Sequence, residues 1–346
     1  MSYSTSTSIV SQADLMTQVS TFAVSTNGWT QNNYDAGNKK MSLSKGNCFV
    51  HFWWDDTSAS IHGTSIGMYQ SLGFISAGTN PWAHTNDSGN GANASANLDT
   101  ERGIKYIGPG PYTSLHMFGH TDTDVIYVAL EIAPGLYRHF GFGNITKIGT
   151  WVGGEWVGGH HWNPQNSGAA ADFPSHFVHS VLLDGHHYGN TGGGFGNSVR
   201  VAATMHIEGL PNQPTANQYY GVVGRPEDFD AWDEDRDANA RGLIEGGIRD
   251  GLGTQQFGWL QPDLSKGFIP IIPAEIFYWD LNPTTSEDRY PLGRMHNCGT
   301  IQMRGIDPQQ ALTVGADTWR AFPCVRKSFL QANNYESWNM GIIYKQ

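Results

Sequence analysis

Residues 114–132 read Ser-Leu-His-Met-Phe-Gly-His-Thr-Asp-Thr-Asp-Val-Ile-Tyr-Val-Ala-Leu-Glu-Ile, two apolar runs around a polar turn. Val, Ile, Tyr and Phe suit a pleated, half-buried surface. Ser114–Phe118 and Val125–Ile132 are therefore expected as strands, with Gly119–Asp124 turning the chain between them. Downstream, Tyr137–Phe142, Ile145–Val152, Glu155–Val157 and Val199–His206 read as further strands, separated by Gly and Asn punctuation. Gly153-Gly154 has the form of a two-residue hairpin turn that would set Trp151 beside Trp156. Alternate glycines in Phe140–Asn144 strip side chains from one strand face and permit close approach or a bulge.

Upstream, Met41–Ser44 and Cys48–Trp54 flank Lys45-Gly46-Asn47 as a hairpin with period-2 patterning. The last third is again strand-like at Phe268–Ile272, Ala274–Trp279, Gly299–Met303, Trp319–Val325 and Gly341–Tyr344. Prolines 273, 283, 291 and 308 place several of these at sheet edges or ends. One early segment has a different period. Leu15, Val19 and Phe22, with Met16 and Ala23, fall at helical spacing over Asp14–Val24, behind Ser11 as N-cap and ahead of Asn27-Gly28 as stop.

The expected fold is mainly β: a sandwich or jelly-roll-like core with long Gly/Asn/Ser-rich loops and a short N-terminal helix. Four stretches divide it: 1–28, a helical segment; 29–206, a β domain; 207–262, an acidic, partly helical insertion with a helix near Ala238–Ile248; and 263–346, strands completing the core. The loops are Ser76–Thr100, Gly158–Ala171 and Asp184–Asn197.

Composition agrees with many short strands and tight turns. The chain has 43 Gly in 346 residues, against an average near 7%, while its 16 Phe, 14 Tyr and 12 Trp can hold broad β layers together. Charged residues are only 15%, as expected where neighbours cover much of a surface. A net charge of −11 argues against nucleic acid or an anionic membrane as main partner, since both need a basic footprint. Cys48, Cys298 and Cys324 lack metal-like spacing and are expected as buried free thiols in a reducing compartment. Met1–Leu15 has no basic start or apolar run, so no signal peptide is expected, and no stretch approaches the roughly 20 apolar residues of a membrane helix.

Chemistry-bearing clusters each have a plainer reading. His160-His161, His186-His187 and the pair His176 and His179 invite a metal, but there is no HExxH, and adjacent residues on a strand point to opposite faces. Asp233, Asp235 and Asp237 have the DxDxD spacing of a calcium loop, which then fails at Ala238, where Gly is needed, and at Ile244, where Glu is needed. They are expected as a solvated acidic loop with at most weak cation binding. Gly192–Gly196 lacks the Lys-Ser/Thr of a phosphate loop, and no GxSxG occurs. Glu131, Glu155 and Glu208 lie in or near aromatic strands, as carboxylates do in some sugar-cleaving sites, though their separation is spatial and not legible here.

Two stretches are more distinctive: Tyr137–Trp156, with its F-G-x-x-x-K-x-G-x-W-x-G-G run, and Trp319–Lys327 followed by Asn339–Lys345. With the helix that runs into Gly28-Trp29, they resemble uncharacterised virion structural proteins of tailed bacteriophages. The resemblance implies a tail-tip or baseplate component of the virion, with no catalytic residues to carry over; assembly in the host cytoplasm and the lack of enzymatic activity, cofactor and metal are expected with it. Copies of itself and other virion proteins would be its partners. Leu15, Val19, Phe22, Trp151 and Trp156 are the residues expected at an interface. Two other functions stay open: a receptor- or glycan-binding module presenting Trp82 and Tyr188 to a host surface glycan, and a metal-dependent or glycan-cleaving enzyme.

Overall fold

The computed structural model describes residues 1–56, 65–79, 84–85, 102–104, 107–159, 203–208, 219–223, 242–246, 262–282, 286–323 and 340–346. The chain starts with strand β1 (Ser2–Ser6). Helix α1 (Gln12–Thr21) follows, where the Ser11 hydroxyl accepts a hydrogen bond from the Asp14 N–H, a capping contact that satisfies an orphan donor of the first turn. A π-type turn over Phe22–Thr26 continues it, so the apolar period outlasts the regular helix.

Strands β2 (Thr30–Asp35), β3 (Lys40–Lys45), β4 (Cys48–Asp55), β5 (Ser65–Ser71) and β6 (Arg102–Ile104) form a five-stranded antiparallel sheet in sequence order. The expected hairpin is its β3–β4 pair. The remaining thirteen strands join β1 in one fourteen-stranded sheet. They are β7 (Ser114–His120), β8 (Val125–Ala133), β9 (Leu136–Asn144), β10 (Thr146–Lys147), β11 (Val152–Gly159), β12 (Ala203–Glu208), β13 (Tyr219–Val223), β14 (Gly242–Gly246), β15 (Ile272–Asn282), β16 (Ser286–Gln302), β17 (Ala311–Val314), β18 (Asp317–Pro323) and β19 (Met340–Lys345). Their order is β1-β7-β8-β9-β11-β12-β13-β14-β15-β16-β19-β18-β17, with β10 paired to β16 off that path.

The protein is mainly β, with sheets packed as in a sandwich and one short helix. Side chains from β7, β8, β9, β11 and β12 meet those from β15, β16, β18 and β19 in one core that includes Phe118, Tyr127, Trp156, Met205, Leu292 and Tyr344. The opposite face of the first group packs on α1 and the five-stranded sheet through Leu115, Ile126, Phe140 and Phe142 against Val19, Phe52 and Trp54. Strand β8 therefore serves two cores. Val125, Tyr127 and Ala129 enter the first, and Ile126, Val128 and Leu130 the second. This is why its sequence is a continuous apolar run instead of an alternation. Tyr344 stacks on Tyr127 and Phe118 at centroid separations of 5.2 and 5.0 Å. Such pairs add about 0.5–1.5 kcal/mol each beyond the area they bury.

Several expectations need correction. Gly153 and Gly154 do not turn the chain: both lie inside β11, at a register shift against β12. Gly153 has φ +109°, and a Cβ there would sit 2.2 Å from the His206 carbonyl oxygen, so the pair forms a bulge pressed onto its neighbour. Trp151 and Trp156 are accordingly not partners across a hairpin. Of Ile145–Val152 only Thr146–Lys147 and Val152, the first residue of β11, are strand; between them lies a bend, after which Trp151 Nε1 donates to the carbonyls of Ile148 (3.0 Å) and Leu292 (3.2 Å). Within the helix expected near Ala238–Ile248, the described residues Gly242–Gly246 form strand β14, where pairing with β15 overrides local propensity. Phe268 makes only an isolated bridge to Asp263, and the strand expected at Phe268–Ile272 begins instead at Ile272. Segment 207–262 contributes β13 and β14 to the large sheet, between β12 and β15.

Candidate functional site

Polar groups converge where the β7–β8 turn meets β16. His120 ends β7, Asp122 lies in the turn, and His296 sits on β16; one ligand-type atom from each lies within 4.8 Å of the others. His120 is 1% exposed, with its ring edge-on to Tyr127. The side chain of Asp122 is 62% exposed and that of His296 17%, so the cluster opens to solvent on the carboxylate side.

Each imidazole is held through Nδ1. Asn297 Nδ2 lies 3.3 Å from His120 Nδ1, and Thr146 Oγ1 lies 2.9 Å from His296 Nδ1. Tyr127 Oη donates to the His296 carbonyl at 2.7 Å, fixing the strand that carries it. Both Nε2 atoms are buried without a hydrogen-bond partner. His296 Nε2 lies 2.9 Å from Asp122 Oδ2, a contact that is an ion pair only when the imidazole is protonated. Burial pushes His120 down to about 4, and His296 pushes it further the same way. Burial also lowers His296, against the pull of Asp122. Burial would raise the Asp122 carboxyl, yet His296 holds it below the usual carboxylate range. Near neutral pH the site thus presents two uncharged imidazoles and one carboxylate.

The other buried titratable groups are used within the layers. His139 Nε2 lies 2.9 Å from the Pro323 carbonyl, which only accepts, so Nε2 carries the proton and Nδ1 accepts from Tyr344 Oη at 3.0 Å. Glu131 accepts from Ser114 Oγ (2.7 Å), Gly135 N–H (2.8 Å) and Gln309 Nε2 (3.1 Å). Glu155 sits 3.0 Å from His206 Nδ1. Glu131 pairs with Tyr137 and Glu155 with Asn144 in the β9 ladder. Seven residues of strand separate those positions by about 23 Å, more than twice the widest spacing of paired glycosidase carboxylates, roughly 9.5 Å.

No protein-family model matches this chain, and no curated protein matches it. The sequence-expected residues divide as follows. Leu15, Val19, Phe22, Trp151 and Trp156 are all buried in the protein's own cores, at 0, 0, 4, 8 and 0% exposure, and are not available as a docking surface. Large apolar side chains seek cover, and here the chain's own layers supply it. The large apolar side chains that these two regions leave in solvent are Val24, Ile148 and Val152. Cys48 and Cys298 are buried free thiols, as expected. Cys324, Trp82, Tyr188, the acidic positions Asp233, Asp235 and Asp237, and histidines 160, 161, 176, 179, 186 and 187 lie outside the described residues. Among the described residues no helix is long and apolar enough to cross a membrane.

Sequence inspection missed His120, Asp122 and His296. Positions 120 and 122 share one turn and were legible only as turn polarity, whereas His296 joins them through tertiary pairing, across 174 residues from Asp122.

Proposed function

We propose that this chain is a structural, non-enzymatic subunit of a tailed-phage particle, in the tail tip or baseplate, with copies of itself and other virion proteins as partners. The observation that carries the reading is the large sheet's pair of open edges. Among the described residues, β1 (Ser-Tyr-Ser-Thr-Ser) and β17 (Ala-Leu-Thr-Val) end the strand order, and neither contains a charge or a proline. Soluble monomers usually blunt such edges with lysine, proline or a bulge, because an unpaired ladder recruits other strands. Uncharged edges instead suit strand addition from a neighbouring subunit. The low charge content and the resemblance carried by Tyr137–Trp156 and Trp319–Lys345 support the same reading. Those stretches contain most of β9 and β11, β10, and β18 and β19, whose side chains meet in one core.

Gradient-purified particles probed by mass spectrometry test the location; the chain is expected at a fixed ratio to known tail proteins, and its absence from intact particles overturns the proposal. Light scattering of the isolated chain tests the edge. Ala311 and Thr313 have exposed side chains, so Ala311→Lys with Thr313→Lys is expected to lower the oligomeric mass while leaving the melting temperature unchanged.

A further inference from the structure

We infer that His120, Asp122 and His296 form a binding site for one divalent transition metal ion of the zinc class, which clips the β7–β8 turn to β16. Three features of the site lead there. The donor atoms already lie within 4.8 Å of one another, and one pair is at 2.9 Å. Metal–nitrogen and metal–oxygen bonds of about 2.1 Å at a tetrahedral centre place ligand atoms about 3.4 Å apart, so small side-chain rotations complete the set.

His120 Nε2 is buried without a partner, which costs about 1–3 kcal/mol, and His296 Nε2, also buried, faces only the Asp122 carboxylate at 2.9 Å. A metal would satisfy both at once. The third feature is the support behind the rings. Thr146 Oγ1 can accept from His296 Nδ1–H; Asn297, whose Nδ2 faces His120 Nδ1 at 3.3 Å, accepts from His120 Nδ1–H once its amide is flipped to present the oxygen. That tautomer leaves each Nε2 lone pair free, as metal-bound imidazoles require.

Two imidazoles and one carboxylate favour zinc, cobalt or nickel over magnesium and calcium, which prefer all-oxygen shells. The exposed side of Asp122 leaves at least one coordination position for water or a group from outside the chain. The clip joins residues that fold in opposite layers of the sandwich, so its effect is expected chiefly on stability. The site is independent of the assembly reading.

The test uses the full chain, stripped with a chelator and dialysed. Calorimetric titration with zinc chloride is expected to give one equivalent bound per chain, a rise in melting temperature, and no comparable rise with magnesium chloride. Cobalt chloride is expected to produce the visible d–d absorption of a nitrogen- and oxygen-ligated ion. His120→Gln with His296→Gln is expected to weaken binding at least about 100-fold, and Thr146→Val, which touches only the ring's outer nitrogen, by about 10- to 100-fold. Asp122→Asn changes an exposed turn residue and tests the carboxylate should the double variant fail to fold. Absence of stoichiometric binding overturns the inference, as does binding undiminished in Asp122→Asn or in a folded double variant, which would assign the metal to other histidines.

Discussion

His139 is the group through which acid should reach the centre of the protein. It is fully buried on β9 and joins two layers, accepting from Tyr344 Oη on β19 and donating to the Pro323 carbonyl at the end of β18. Burial pushes its pKa from 6.5 down to about 4; the Pro323 contact opposes this and Arg138 reinforces it. The unfolded chain therefore binds a proton at this residue below about pH 6.5 while the folded chain resists until about 4. Stability is fully present above 6.5 and is lost as pH falls towards 4, at about 1.4 kcal/mol per unit once below 6.5, or about 3 kcal/mol in all. Replacing His139 by Phe removes the titration and both bridging hydrogen bonds. At pH 7 this costs about 2–5 kcal/mol, because a hydroxyl and a carbonyl lose their partner inside a packed core. Urea unfolding followed by tryptophan fluorescence, at half-unit steps from pH 4 to 7.5, gives the difference between wild type and His139→Phe. That difference is expected to shrink by about 3 kcal/mol between pH 7 and 4. A pH-independent difference, or one that grows in acid, refutes the reasoning.

Two further outcomes follow from packing. Gly143→Ala would set a Cβ 2.2 Å from the Asp124 carbonyl oxygen at φ +133°, and is expected to lower stability by at least about 3 kcal/mol in a thermal melt. Leu15→Ala empties a fully buried position and should cost about 2–5 kcal/mol with no change in oligomeric mass by light scattering; the reverse pattern would mean that α1 is a contact between subunits.

The strands were legible where local chemistry decides them. Residues 114–132 fold as the apolar runs and polar turn imply, because β-branched and aromatic residues have one good use there. Ser11 announced its helix through a contact that reaches only three residues. The alternate glycines of β9 also read correctly: a Cβ on Gly141 would meet Trp156 at 2.7 Å. The misreadings share a cause. Gly153-Gly154 satisfies the rules for a turn and for a bulge equally, and only the neighbouring β12 selects the bulge. The stretch around Gly242–Gly246 carries a helical pattern that β15 overrides. Leu15 and Trp156 were legible as residues that must be covered, but not as covered from within. The His120–Asp122–His296 cluster gave no signal because doublets such as His160-His161 draw attention to sequence neighbours, while strand order makes spatial ones.

The β19 strand has a consequence for the chain as it leaves the ribosome. Tyr344 covers Tyr127 and Phe118 and reaches His139 across 205 residues of sequence. The hairpins of residues 114–144 complete their ladders early, yet one aromatic face stays wet until residues 340–345 have been added. Through most of synthesis the nascent chain carries a sticky surface that no local folding can hide. Translational pausing, or loss of a short stretch that includes β19, should therefore yield aggregates even though every earlier strand is intact.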